Sequence, residues 1–200
     1  MGLGSARNFD FSSDAQQYAT SRDWFEQLGI TYSVGLYGFQ FWLVGLTIVV
    51  GACAIGYGAW AERERSRAYF GLLLFLVGSL VGVFAAQDLI VFYVFFEAML
   101  IPLYVLVGVW GGPGRLGATI KFVIYTMAGS LLMLVAILYC VWAVKGAGGI
   151  TFAWADVSAR LQGADLQGVE TWLFLAFVIA FAIKVPMFPL HTWLPDAHVE

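Results

Sequence analysis

Apolar residues in this chain come in long blocks separated by short polar or glycine-rich breaks. A spanning helix needs about 20 apolar residues to cross a hydrocarbon core of roughly 30 Å. Five blocks meet or approach that length: residues 37–60, 69–86, 89–110, 119–144 and 171–189. Gln87 and Asp88 mark a tight turn between the second and third blocks, and Gly111-Gly112-Pro113-Gly114 ends the third with helix breakers. Links this short predict antiparallel neighbours. The expected fold is therefore all-α, a polytopic transmembrane bundle of about five spanning helices with the last one broken. The polar remainder divides into an extramembrane segment over 1–36 and an extramembrane loop over 145–170. Within that loop the mixed pattern of residues 151–161 predicts a short helix lying on the membrane surface.

Composition narrows the class. The chain is 61% hydrophobic and 12% charged, with a mean hydropathy of +0.83, which a soluble surface does not tolerate. Scattered charges summing to −3 give no reason to expect nucleic acid as a partner; the expected partner is the lipid bilayer. Cys53 and Cys140 lie in apolar blocks with no second cysteine or histidine at ligand spacing, so they read as packing residues. No iron–sulfur, haem or zinc pattern is present, and the N-terminus lacks the basic start and apolar core of a secretion signal. Ending at Glu200, just after a stretch rich in proline and histidine, is unusual for a membrane protein and suggests a piece of a longer one. Basic residues favour the cytoplasmic side. Arg63, Arg65, Arg67, Arg115 and Lys121 fall on one set of connections, which places the N-terminus outside.

Glu97 stands out against this background. It lies in the middle of the apolar run 89–110, where an ionisable group is expensive and defaults to a functional role. Counted from Asp88 it sits about 14 Å below the outer surface, and Lys184 sits about 20 Å down a helix running the same way. The two are thus possible partners, either as a structural ion pair or, the favoured reading, as a proton-transfer element. Pro102 follows Glu97 by five residues and removes the donor to the Ala98 carbonyl; Pro186 does the same to the Ala182 carbonyl. Freed carbonyls at membrane depth need protein or water around them, which places Lys184 at a broken helix. Tyr93 and Tyr104 share the Glu97 face by helical spacing. Lys121 reads equally as an interfacial residue or a proton carrier, and His191 more simply as an interfacial packing or capping residue than as a relay.

These residues carry a family resemblance. Phe96-Glu97-Ala98-Met99-Leu100-Ile101-Pro102, then Trp110-Gly111-Gly112, Lys121-Phe122, Tyr125-Thr126 and Gly129-Ser130, resemble the antiporter-like proton-pumping subunits of respiratory complex I. The stretch from Lys184-Val185-Pro186 to Asp196-Ala197-His198-Val199-Glu200 is the most specific, and looks most like the M, or chain 4, branch of NADH:quinone oxidoreductase. The resemblance covers roughly residues 24–200. Tyr37 departs from the pattern, since many relatives have aspartate there.

The resemblance implies that Glu97 matches the essential membrane glutamate and Lys184 its partner lysine on a discontinuous helix. It also implies a larger fold of about fourteen helices in two inverted repeats. The implied function is proton translocation coupled to electron transfer from NADH to quinone, as a non-redox subunit of the enzyme. No cofactor is expected on this chain; NADH, FMN, iron–sulfur clusters and quinone belong to partner subunits. The expected partners are other membrane subunits of complex I, and the expected location is the bacterial plasma membrane. Alternatives are a subunit of a secondary sodium/proton antiporter or of a related membrane-bound hydrogenase complex, and, in another class, a helical scaffold for assembly.

Overall fold

A computed structural model describes residues 9–61, 66–146, 149–166 and 168–199. The order of elements is β1 (Gln17–Phe25), β2 (Ile30–Leu36), α1 (Gly38–Trp60), α2 (Ser66–Ala85), α3 (Leu89–Ala98), α4 (Leu100–Trp110), α5 (Arg115–Ala143), α6 (Trp154–Leu161), α7 (Glu170–Lys184) and α8 (Leu194–Val199). Among the described residues, four helices are long and apolar enough to cross a membrane: Gly38–Trp60, Ser66–Ala85, Leu89–Trp110 and Arg115–Ala143. The third comprises α3 and α4, which meet at Met99, three residues before Pro102. The fold is a membrane helical bundle.

Around the bundle, α5 is the centre. It packs against α7 on one side and α4 on the other, while α1, α2 and α3 follow one another in sequence, with α2 also touching α4. Met133 and Ile137 of α5 are fully enclosed, and the core around them draws in Phe96, Val141, Phe152, Val157 and Ala180. By contrast the buried residues of α1 are glycines, Gly51 and Gly58, which let Val77 and Tyr69 of α2 approach closely. Its large apolar residues, such as Trp42, Leu46 and Trp60, point outward, as lipid-facing side chains should.

Two features add to the sequence expectation. First, the segment before residue 37 contains an antiparallel β-hairpin, with Thr20 opposite Val34 and Arg22 opposite Tyr32. The turn passes through Gly29 at φ 68°, a left-handed conformation that suits glycine. The hairpin lies against the bundle: Gln87 N–H donates to the Ser33 carbonyl and Phe152 N–H to the Gly29 carbonyl. The segment is thus part of a rim, together with the 87–89 turn and α6. Second, the last apolar block forms a helix only to Lys184, a run of 15 residues. At 1.5 Å per residue that is about 22 Å, short of the hydrocarbon thickness. The helix stops because Pro186 cannot continue it.

Asp88 ties the rim together. It is 1% exposed. Its Oδ1 accepts from the N–H groups of Ile90 and Val91 as the N-cap of α3, and its Oδ2 accepts from Thr31 N–H of the hairpin. Burial pushes the Asp88 carboxyl up from its ordinary value, while the three N–H groups pull it down. Asp88→Ala removes a cap worth about 1 kcal/mol and leaves the Thr31 N–H unpaired, at about 1–3 kcal/mol. The expected loss is therefore about 2–4 kcal/mol, to be measured by denaturant unfolding in detergent. Asp88→Asn keeps the cap acceptor and should lose less.

Candidate proton-transfer site

Glu97 lies in the last turn of α3 and Lys184 at the last position of α7. Both are partly buried. The helices bring them within electrostatic reach of each other, but they do not meet as a hydrogen-bonded ion pair. Glu97 Oε1 and Lys184 Nζ are both buried with no hydrogen-bond partner among the described residues. The Lys184 ammonium instead rests over the Phe96 ring, 4.5 Å from its centroid. Cation–π attraction of this kind is worth roughly 1–2 kcal/mol where water is excluded.

An aromatic row fixes that ring. Phe92 stacks on Phe96 at 5.5 Å, Phe181 meets Phe96 edge-on at 6.2 Å, and Phe177 stacks on Phe181 at 6.4 Å. Phe181 and Lys184 are three residues apart on α7, so they lie on the same helix face. The residues that set the lysine's height also clamp the ring beneath it. Gly129 allows this approach: a methyl there would lie 2.8 Å from Ile183 Cδ1 and 3.4 Å from Ala180 Cα. Small residues of this kind let membrane helices pack closely.

The break after Lys184 is better satisfied than the prolines alone suggest. The Ala182 carbonyl, deprived of its usual donor, accepts from Met187 N–H at 2.8 Å. Trp193 Nε1 donates to the Ile183 carbonyl at 2.9 Å. Trp193 is itself buried against Leu100 and Phe122, so the looped stretch is pinned back onto α4 and α5. The expectation of a freed Ala182 carbonyl is thus corrected: the chain turns sharply enough for the next available N–H to reach it.

The remaining residues sort by position. Tyr93 lies one helical turn before Glu97 on α3, and Ser130 Oγ of α5 donates to the Met127 carbonyl. Tyr104 is 47% exposed on the outside of the chain. His191 has a buried Nδ1 without a partner and lies against Phe188. Lys121 lies six residues into α5, which begins at Arg115 rather than near Thr119, and its Nζ forms an ion pair with Asp196 Oδ2 at 2.8 Å. Nearby, Thr192 Oγ1 donates to the Tyr125 hydroxyl at 2.8 Å. Sequence reading missed Asp196 and Phe96 as contributors. Asp196 lies 75 residues from Lys121, and no spacing rule connects them; Phe96 enters the sequence analysis only as part of the resemblance motif, and nothing in its apolar context marks it as a lysine contact. Arg63 and Arg65, used to orient the chain, lie outside the described residues. Cys53 is exposed and Cys140 buried, both as free thiols.

Known proteins resemble this chain in sequence and fold. NAD(P)H-quinone oxidoreductase chain 4 3 of Trichormus variabilis is 38% identical over 96% of this chain and 34% of its own length. NADH-quinone oxidoreductase subunit M of Rhodobacter capsulatus is 40% identical over 96% of this chain and 38% of its own length. Among solved structures, respiratory complex I from Thermus thermophilus with bound NADH contains a chain 41% identical, with a TM-score of 0.77, over 90% of this chain and 36% of that one. The present chain thus spans little more than a third of the length of these relatives. Residues 86–200, which hold Glu97, the broken helix and Lys184, match the family described as "NADH:quinone oxidoreductase/Mrp antiporter, TM", and the chain belongs to that family.

Proposed function

We propose that this chain is part of a membrane subunit of a proton-translocating NADH:quinone oxidoreductase, and that Glu97 and Lys184 carry the proton-transfer chemistry within it. The observation that carries this reading is that Lys184 Nζ sits 4.5 Å from the ring of Phe96, the neighbour of Glu97 in a membrane helix bundle, while Glu97 Oε1 and Lys184 Nζ are each buried without a partner among the described residues. A purely structural pair gains its stability from direct hydrogen bonds, since desolvation otherwise outweighs attraction. An open pair retains the capacity to change protonation when its surroundings change. Quinone reduction elsewhere in the complex alters the charge around Glu97. Lys184 gains or loses a proton in response, and that proton passes along water and neighbouring side chains, for which Tyr93, one turn before Glu97, and His191, with its buried unpartnered Nδ1, are candidates. The chain acts as a non-redox subunit. NADH, FMN, iron–sulfur clusters and quinone are assigned to partner subunits, and the assembly to the bacterial plasma membrane.

A sodium/proton antiporter would use the same pair without a redox partner, and the matching family covers both kinds of protein. Inverted membrane vesicles separate them. In sodium-free buffer, NADH addition should acidify the vesicle interior, and deletion of the gene encoding this chain should abolish that acidification. Proton movement that needs sodium and ignores NADH would favour the antiporter.

A further inference from the structure

The two deep charges are near each other yet unpaired, and the residue between them explains why. Phe96 and Glu97 are consecutive on α3, so their side chains leave the helix about 100° apart. A lysine seated on the Phe96 ring is therefore held to one side of the Glu97 carboxylate. The ring is only 6% exposed and is clamped by Phe92 below and Phe181 at its edge. It offers the ammonium a fixed aromatic face 4.5 Å away, while among the described residues no hydrogen-bond acceptor reaches Nζ.

We infer that Phe96 is a positioning residue for proton transfer: its ring is the perch that keeps protonated Lys184 apart from Glu97, so that the pair stays open until the surrounding charge changes. This rests on the reading of Glu97 and Lys184 given above. An aliphatic side chain of similar size would fill the space but offer no quadrupole to the cation. Charged Lys184 would then lose one of its few stabilising contacts. The titratable or charged groups on the elements around Lys184 include Glu97 and Tyr93 on α3, Arg115, Lys121, Tyr125, Tyr139 and Cys140 on α5, Glu170 at the start of α7, Asp196 on α8, and His191 beyond the break; Arg115 and Glu170 lie at the far ends of their helices. Lys121 and Asp196 neutralise each other, Tyr125 is bonded to Thr192, and Tyr139 packs on Trp142, so Glu97 is the principal charge acting on Lys184.

The test compares Phe96→Leu, Phe96→Tyr and Phe96→Trp in the full-length subunit within the assembled complex, reading NADH-driven proton translocation against pH. The pH at which translocation half-declines on the alkaline side should fall by about one unit in Phe96→Leu. It should return towards wild type in Phe96→Tyr or Phe96→Trp, which keep a ring. A merely structural role would lower the maximum rate in all three without moving the profile. Equal shifts in the aromatic and aliphatic variants, or a Phe96→Leu profile that overlays wild type, would overturn the inference. Lys184→Ala, measured alongside, separates the two claims. If it abolishes translocation while Phe96→Leu leaves the profile in place, only the perch is wrong. If it translocates normally, the reading beneath it has failed.

Discussion

Replacing Glu97 by glutamine should leave the bundle assembled and slow proton translocation by about tenfold or more, a barrier increase of at least about 1.4 kcal/mol. Glutamine matches glutamate in size and keeps two hydrogen-bonding groups, so packing of Phe96, Met99 and their neighbours in the core should survive. What it removes is the charge and the capacity to exchange a proton. Lys184 then loses the opposite charge within its reach and is left with the Phe96 ring alone. An uncompensated buried ammonium is costly, and without a partner that can take up or release a proton the pair ceases to switch. Assembly is checked by recovery of the intact complex, and transport by acidification of vesicles at matched electron-transfer rate. The scaffold alternative predicts the reverse: reduced yield, with full activity in whatever assembles.

The second large effect concerns the α5–α7 contact. Alanine at Gly129 requires Ile183 Cδ1 to yield from 2.8 Å, which the far end of a side chain can do. The helix also gains about 0.5–1 kcal/mol from losing a glycine. Gly129→Ala should therefore be close to neutral. Leucine is different, because its bulk would press on Ala180 Cα, which is backbone in a nearly fully buried residue. Overpacking of this sort costs about 1–3 kcal/mol, and relief requires the helices to separate. Ile183 precedes Lys184, so separation also lifts the lysine from the Phe96 ring. Gly129→Leu should lose both thermal stability and translocation, measured on the purified complex, and Gly129→Ala should retain both.

The helices were readable because hydrocarbon demands apolar runs of about 20 residues, and a water-facing surface has no place for several runs of that length. Glu97 was conspicuous for the same reason, as a charge where none is cheap. The hairpin is hard to read because its charged positions, Arg22, Asp23 and Glu26, obscure the alternation of Tyr18, Thr20 and Trp24 with residues between, and because a single glycine, Gly29, is a weak mark of the turn that pairs them with Tyr32 and Val34. The broken helix was signalled by Pro186, but its end at Lys184 and the capture of the Ile183 carbonyl by Trp193 depend on how the chain folds back. Side-chain direction was the least legible. Depth along two helices gave Lys184 as the partner of Glu97, whereas rotation of α7 against α5 and α3 decides that its ammonium meets Phe96 first.

The central claim is that the Glu97–Lys184 pair moves protons and is not a structural clasp. Its most direct test is the ratio of protons translocated to electrons passed from NADH to quinone, in vesicles whose full-length subunit carries Lys184→Ala and whose complex content matches wild type. A ratio clearly below wild type, with electron transfer continuing, is the predicted result. A wild-type ratio in fully assembled Lys184→Ala complex would contradict the account.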